Sequence, residues 1–435
     1  MDNKKSEKLE EYYMPNRSEY LYMVKYLAEL KIHQKKNVKE LSDIQLKKLK
    51  KMIVHSYNNV PFYRELFIRA NINPDDIKKL EDLQKLPIIT KKEIQANYDK
   101  ILANGTNIEQ CKLINTTGST GIPLRVYNDN KALLYSSALV YFGFFESGLR
   151  LKDKMVELTG IMEDCSGTLV KKNMISTFDP PEQIMKMLRQ YNADILYSFP
   201  SIFKTLSNSL NGELSSLNTR LIFTHGETLT DSNRELINST FGAKVCNTYG
   251  STEFNRLAFE CSENSGMHML TDGAVIEIVK DGQVVGPGEE GDIVVTGLYN
   301  YAMPLIRYNL GDIGILADHD EKCPCGRGWP LVKSIEGRSD DFLTLPSGRV
   351  ISPRTINVIE NIPGIVQYRT IQTKRDTFFV QVVPDKDFSI KSEDEIKQQI
   401  RLGCLGEDIN IEIETMKELP RERTGKLRTI ISNVK

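Results

Sequence analysis

The residue types best suited to chemistry first gather at Thr116-Thr117-Gly118-Ser119-Thr120-Gly121-Ile122-Pro123, where four hydroxyl side chains and two glycines precede a proline. Glycines let backbone N–H groups approach a ligand closely, and consecutive N–H groups form an anion nest. Hydroxyls add donors without bulk. The ligand such a loop suits is a phosphate chain, although the same composition also makes an ordinary turn. It is not a Walker loop, because no Gly-Lys-Ser/Thr follows at the required spacing. Further polar strings follow downstream: His225-Gly226-Glu227-Thr228, Tyr249-Gly250-Ser251-Thr252-Glu253, Arg307-Tyr308-Asn309-Leu310-Gly311-Asp312, Gly337-Arg338-Ser339-Asp340-Asp341 and Thr424-Gly425-Lys426. Taken singly, each acid or cation among them reads as a turn residue or a solvated charge.

A second constellation is metal-like. Cys323-Pro324-Cys325 puts two thiols on a tight turn, and upstream Cys261 and His268 bracket a short polar stretch. Three thiolates and an imidazole make a set that suits tetrahedral Zn²⁺. Spacing alone equally allows idle thiols and an unrelated imidazole. His319 is a spare candidate ligand.

These residues need a scaffold. With 435 residues the chain has room for two or three domains, and 40% apolar content can bury a large core. A net charge of -1 gives no global bias toward nucleic acid or anionic membrane. No apolar run reaches the length of a membrane span, and the charged N-terminus lacks a signal-peptide core, so a cytoplasmic location is expected. Seven scattered cysteines argue against a disulfide framework.

Residues 1–100 read as helical. Ser42 and Gln45 have capping-box spacing ahead of Leu46, Leu49, Met52, Ile53 and Tyr57, and Pro61 ends that helix. The lysines at 47, 48, 50 and 51 fit an outer, solvated face. Thr90 can cap the next helix, and 131–148 has apolar helical spacing, with Tyr141 and Phe145 candidates for an acyl pocket. From 150 to 250 strands alternate with helices: strands near 155–158, 195–197, 220–224 and 244–249, helices near 181–191, 202–210 and 231–241. That alternation predicts an α/β layout with a largely parallel sheet, whose ligands sit beyond the carboxyl ends of the strands. Residues 273–317 read as strand, turn and strand, and 342–435 as a small strand–helix–strand unit.

The polar strings occur in one order along nearly the whole chain, and in that order they resemble the adenylate-forming acyl-CoA synthetase superfamily. The phenylacetate–CoA ligase branch, with its members linked to capsular polysaccharide synthesis, is the most similar; Asn59-Val60-Pro61-Phe62-Tyr63 and Leu86-Pro87 also match it. The resemblance implies a multidomain α/β fold. A large N-terminal domain (1–338) would hold a helical lead-in to about 105, mostly parallel sheets, and a small β subdomain at about 270–335. A small mobile α+β lid (339–435) would swing about a hinge at Asp340.

The resemblance further implies that ATP and Mg²⁺ activate a small-molecule carboxylic acid, an aryl acid among the candidates, as an acyl-adenylate. The acyl group would then pass to coenzyme A. Ser119, Thr120 and Gly121 would cradle the β- and γ-phosphates, and Tyr249 would stack on adenine beside Gly250. Gly226 and Glu227 would border that base. Thr252 would bond the α-phosphate, Glu253 hold Mg²⁺, Asp312 the ribose, and Arg338 meet the nucleotide. Lys426 would reach the transferring phosphoryl group. Some relatives with a similar Cys-x-Cys-Gly-Arg string hold zinc, and the resemblance thus implies a structural Zn²⁺ on Cys261, His268, Cys323 and Cys325. The usual Pro-Lys-Gly after the phosphate loop is Pro123-Leu124-Arg125 here. Two alternatives stay open: the acyl acceptor is an amine, a hydroxyl or a carrier-protein thiol, or the chain binds nucleotide without catalysis. A homodimer is compatible with either; a nucleic-acid partner and a membrane span are not expected.

Overall fold

The structure is a computed structural model that describes residues 17–434 apart from 117–122, 163–168, 211, 213, 319, 357–358 and 361. Ser119, Thr120, Gly121 and His319 therefore lie outside the described residues, as does the side chain of Asp340.

Helices α1 (Arg17–His33), α2 (Val38–Asn59), α3 (Pro61–Arg69) and α4 (Lys91–Ala96) open the chain. The start of α2 comes earlier than the Ser42–Gln45 spacing predicts: Asn37 and Glu40 form the capping box, each side chain accepting from the other's backbone N–H. Asn59 ends α2, and Pro61 begins α3, where its missing N–H costs nothing. Thr90 caps α4 through a box with Glu93, as expected. The hydroxyl-rich loop is flanked by the antiparallel strands β1 (Lys112–Asn115) and β2 (Arg125–Asn128), and α5 (Asn130–Glu146) follows.

The next stretch alternates as the periodicity predicts. Strands β3 (Met155–Thr159), β4 (Lys172–Ser176), β5 (Ile195–Ser198), β6 (Leu221–Thr224) and β7 (Lys244–Ser251) are interleaved with α6 (Pro181–Tyr191), α7 (Pro200–Ser209) and α8 (Asp231–Phe241). The five strands pair in parallel in the order β7-β6-β5-β3-β4. Helices α6–α8 bury Ile184, Leu188, Phe203, Ile237 and Phe241 against Val156, Leu196, Ile222 and Val245. Each such side chain contributes roughly 1.5–3 kcal/mol on burial.

Beyond β7 the sheet becomes antiparallel through β8 (Asn255–Glu260), β9 (Met267–Met269), β10 (Ala274–Lys280), β11 (Gln283–Val284), β12 (Glu290–Gly297), β13 (Tyr308–Leu316) and β14 (Leu331–Arg338). The result is one twelve-stranded sheet, β11-β10-β12-β13-β14-β9-β8-β7-β6-β5-β3-β4. The opening helices pack on its antiparallel part through Leu49, Ile53, Tyr63, Phe67 and Leu83. Arg307, buried at a left-handed φ of 49°, joins the two layers: it donates to Glu277 and to the carbonyl of Leu86.

The hairpin β15 (Leu343–Thr344) and β16 (Val350–Ile351) begins the C-terminal part. There β17 (Ile365–Lys374), β18 (Thr377–Pro384), α9 (Ile390–Gly403), β19 (Asn410–Thr415) and β20 (Ile430–Ser432) form a four-stranded sheet, β19-β18-β17-β20, with the helix on it. Its apolar cluster is its own, built around Tyr368, Phe378, Val380, Ile396 and Ile400. Among the described residues no helix is long and apolar enough to cross a membrane.

Candidate active site and metal centre

A cavity of about 1170 Å³ opens beyond the carboxyl ends of β5, β6 and β7 and is closed from the far side by the C-terminal part. That is where a parallel sheet leaves its ligand crevice. Tyr249, Gly250, Thr252, Glu253, Asp312 and Arg338 line it, and so do Gly226, Glu227 and Lys426. Segments far apart in sequence thus share one cleft.

One wall is built on strands β7, β13 and β14 and the turn that follows β7. Register pairs Asp312 of β13 with Arg338 of β14. Asp312 accepts from the Tyr249 hydroxyl at 2.8 Å and from Arg338 Nη1 at 3.2 Å. Arg338 also donates to the Leu310 carbonyl. Glu253 accepts from the Tyr308 hydroxyl at 3.1 Å. Burial, reinforced by Asp312, holds the Tyr249 phenol well above its ordinary value; burial and then Glu253 do the same for Tyr308. Both stay protonated and serve as fixed donors that aim the two carboxylates. Gly250 is required at the turn, since a Cβ there would stand 1.7 Å from the Asn255 carbonyl oxygen.

The opposite wall comes from the C-terminal part. Glu227 accepts from the backbone N–H of Leu427 at 2.8 Å and from Ser201 at both its N–H and its hydroxyl. Its carboxylate therefore holds the segment that carries Lys426. Burial raises the Glu227 carboxyl above its ordinary range, against the pull of those N–H groups, Lys426 and Arg421. Arg421 donates to Ser201 and Thr205, and Gln367 donates to Thr205. Glu360 accepts from Asn233 and from Thr230 on the opposite body. The Gly160 N–H bonds the Thr424 carbonyl at 2.8 Å, so close that a Cβ on Gly160 would meet the Arg423 carbonyl at 2.3 Å. Next to the expected hinge, Asp341 is paired with Arg428.

Cys261, His268, Cys323 and Cys325 come together with their donor atoms all within 4.8 Å of one another. The Cys261 and Cys323 sulfurs are 3.4 Å apart, and Cys325 Sγ is 3.3 Å from His268 Nε2. Donors around a tetrahedral zinc with bonds of roughly 2.0–2.3 Å stand about 3.3–3.8 Å apart, so the set fits that ion. The cluster links the β8–β9 turn to the connection between β13 and β14.

Sequence reasoning missed several participants. Tyr308 sits inside a string already singled out, beside the more conspicuous Asp312. Arg421 and Glu360 carry no local signal, because their partners lie 220 and 127 positions away. Arg125 is exposed and lies over the Tyr98 ring at 4.7 Å, which is the role of an outward strand residue. Tyr141 and Phe145 pack against Phe144 and Met155, while Tyr197, Phe199 and His225 form the cavity wall there.

A family model described as AMP-binding enzyme matches residues 114–303, and one described as CapK C-terminal domain matches 343–433. With the cavity described above, these place the chain among the adenylate-forming enzymes. The phenylacetate-coenzyme A ligase of Thermus thermophilus is 26% identical across 90% of this chain and 96% of its own. Protein CapK of Staphylococcus aureus is 25% identical across 95% and 94%. Over nearly its whole length the chain is similar to the phenylacetate–CoA ligase-like branch of that family. Among solved structures, a 2-hydroxyisobutyryl-CoA ligase in its postadenylation state superposes with a TM-score of 0.78 at 18% identity, covering 92% of this chain and 91% of that one. The same ligase in its thioesterification state gives 0.63 at 19% identity, over 92% and 91%.

Proposed function

We propose that the chain condenses a carboxylic acid with ATP and passes the acyl group to coenzyme A. In the first half-reaction a carboxylate oxygen bonds to the α-phosphorus, and the bond to pyrophosphate breaks with its electron pair on the leaving group. In the second, the thiol sulfur bonds to the acyl carbon and AMP departs. Charge builds on the phosphoryl oxygens, so fixed donors and cations are what the first step needs. The observation that carries the reading is the position of Lys426, held by Glu227 and its neighbours in the same cleft as Thr252, Glu253 and Asp312.

Asp312 suits the ribose hydroxyls, with Tyr249 and Arg338 fixing its orientation. Glu253 would hold Mg²⁺, which neutralises phosphate charge when bound. Thr252 offers a hydroxyl to the α-phosphate, and Lys426 offers the cation that approaches the reacting phosphoryl group. Ser119, Thr120 and Gly121 are assigned to the β- and γ-phosphates. The lid position described here suits the first half-reaction, as the better superposition on a postadenylation structure supports. Asp340 is assigned as the hinge for the second, and the boundary between the two bodies is placed at 338/339. Cys261, His268, Cys323 and Cys325 would hold Zn²⁺ with all four positions filled by protein, a structural role. ATP–pyrophosphate exchange across a panel of acids tests the first half, and product analysis with coenzyme A against amine and carrier-protein acceptors tests the second. Exchange with no acid in the panel overturns the reading.

A further inference from the structure

Arg256 follows the Tyr249–Glu253 string by three positions and points to what the acid carries. It is 5% exposed, and its Nη1 has no hydrogen-bond partner. The guanidinium lies over the Phe144 ring at 4.9 Å. It lines the main cavity together with Tyr197, Phe199 and His225, whose rings stack on one another at 4.3 and 4.7 Å. Lys426 contributes to the electrostatics of His225 on this side and of Asp341 on the nucleotide side. Arg256 thus shares the cavity with Lys426 and with an aromatic wall that none of the nucleotide assignments uses, a place the acyl portion of an adenylate could occupy.

Among the described residues the charges around Arg256 do not balance. Lys172 and Glu157 are paired with each other. At the far end of β8, Glu260 is held by both Arg234 nitrogens. Tyr197 meets the guanidinium only as a neutral hydrogen-bonding phenol, and His225 is a neutral imidazole near pH 7. Among the described residues, then, no carboxylate is paired with Arg256. A buried guanidinium with an idle N–H and no counter-ion is costly, and a hydrocarbon acyl chain would leave it so. An anionic group on the substrate would remove the penalty.

We propose that the acid carries a second negatively charged group, a carboxylate or its equivalent, and that Arg256 receives it while the first carboxylate is activated. The inference rests on the adenylation reading above. The aromatic walls accommodate the carbon skeleton between the two charges, and the idle Nη1 supplies the specific contact.

The test is ATP–pyrophosphate exchange with matched pairs: pentanoate against glutarate, and phenylacetate against 4-carboxyphenylacetate. The wild type is expected to favour the dicarboxylate of at least one pair by about 10²-fold in kcat/KM, and Arg256→Met to erase that preference mainly through KM. The monocarboxylate should keep its rate in the variant. Arg256→Lys, which retains charge but not the planar fork, should retain part of the preference, and gives a second measurement if Arg256→Met does not fold. A wild type that prefers the monocarboxylate throughout overturns the proposal and leaves adenylation intact. Equal loss of both members in Arg256→Met marks a structural arginine and also overturns it. Exchange with none of the acids would instead overturn the adenylation reading itself, a result distinct from the other two.

Discussion

The two walls of the cleft are built by opposite means. The wall that holds Asp312, Arg338 and Glu253 is made of neighbouring strands and the turn between β7 and β8, and its two carboxylates are fixed by Tyr249, Arg338 and Tyr308 of the same sheet. The wall that holds Lys426 is a loop segment, and what fixes it crosses from one body to the other: Glu227 to the Leu427 N–H, Arg421 to Ser201, Glu360 to Asn233. Strand register cannot change without breaking a ladder, whereas a few cross-body hydrogen bonds can be exchanged at a cost of about 0.5–1.5 kcal/mol each. On the proposed reading, the rigid half would orient a nucleotide through both half-reactions, while the detachable half would present Lys426 for the first and withdraw it for the second.

Removing that cation is the most severe break. Lys426→Ala should lower ATP–pyrophosphate exchange by roughly 10²–10³-fold, the usual cost of one preorganised charge at a developing anion. Thioester formation from a supplied acyl-adenylate should be nearly unchanged. Equal loss of both steps would mean that the lid is not detachable in the sense argued here.

The next largest effect should come from the rigid half. Cys261, His268, Cys323 and Cys325, proposed to hold Zn²⁺, bring the β8–β9 turn to the connection before β14, the strand that carries Arg338. Zinc should be found at about one ion per chain by elemental analysis, and Cys323→Ser should lose it. The melting temperature should fall by roughly 5–10 °C with the metal gone, and both half-reactions should decline together. A purified protein without bound zinc, equally stable before and after chelation, would remove the metal from the account.

The same contrast explains what could be read from sequence. Helices α6 and α8 begin and end where their spacing predicts, because each has a clear apolar face toward the sheet. The strand string ending in Asp312 and the Tyr249–Glu253 turn were legible because their chemistry is concentrated in a few consecutive residues. Strand β4 was not: Lys172-Asn173-Met174-Ile175-Ser176 has no alternation, and it sits at the sheet edge. The capping box at Asn37 was overlooked for a hydroxyl five positions later. Glu227 was expected at the adenine, but its hydrogen bond to Leu427 spans 200 positions and exists only with the lid in place. Local pattern carries the rigid wall; the detachable wall needs coordinates.

A milder break targets the contact between the two bodies. Glu360, at the cavity lining, accepts from Asn233 and Thr230 and is assigned no part in the chemistry. Glu360→Ala should reduce pyrophosphate exchange by about 5–10-fold through loss of roughly 1 kcal/mol of docking. It should leave thioester formation unchanged or faster, because the lid departs more readily. An equal decline in both steps would mean that this contact stabilises the fold rather than one lid position.

The smallest effect is expected at His225, whose imidazole feels charges from both walls. Burial is the main cause that pulls its imidazole down to about 3 from an ordinary 6.5, followed by Arg256, Lys172 and then Lys426. The unfolded chain binds a proton that the folded chain refuses, so this group makes stability rise with pH across that window and fall on acidification below 6.5. His225→Gln should flatten the acid limb of a denaturation-against-pH curve. Of the cations, Arg256 belongs to the rigid half and Lys426 to the lid. Arg256→Met should therefore raise the imidazole pKa more than Lys426→Ala does, both measurable by NMR titration of the ring. Should Lys426→Ala give the larger shift, the lid would stand deeper in the cleft than the fixed arginine, and the division of labour between the walls would have to be redrawn.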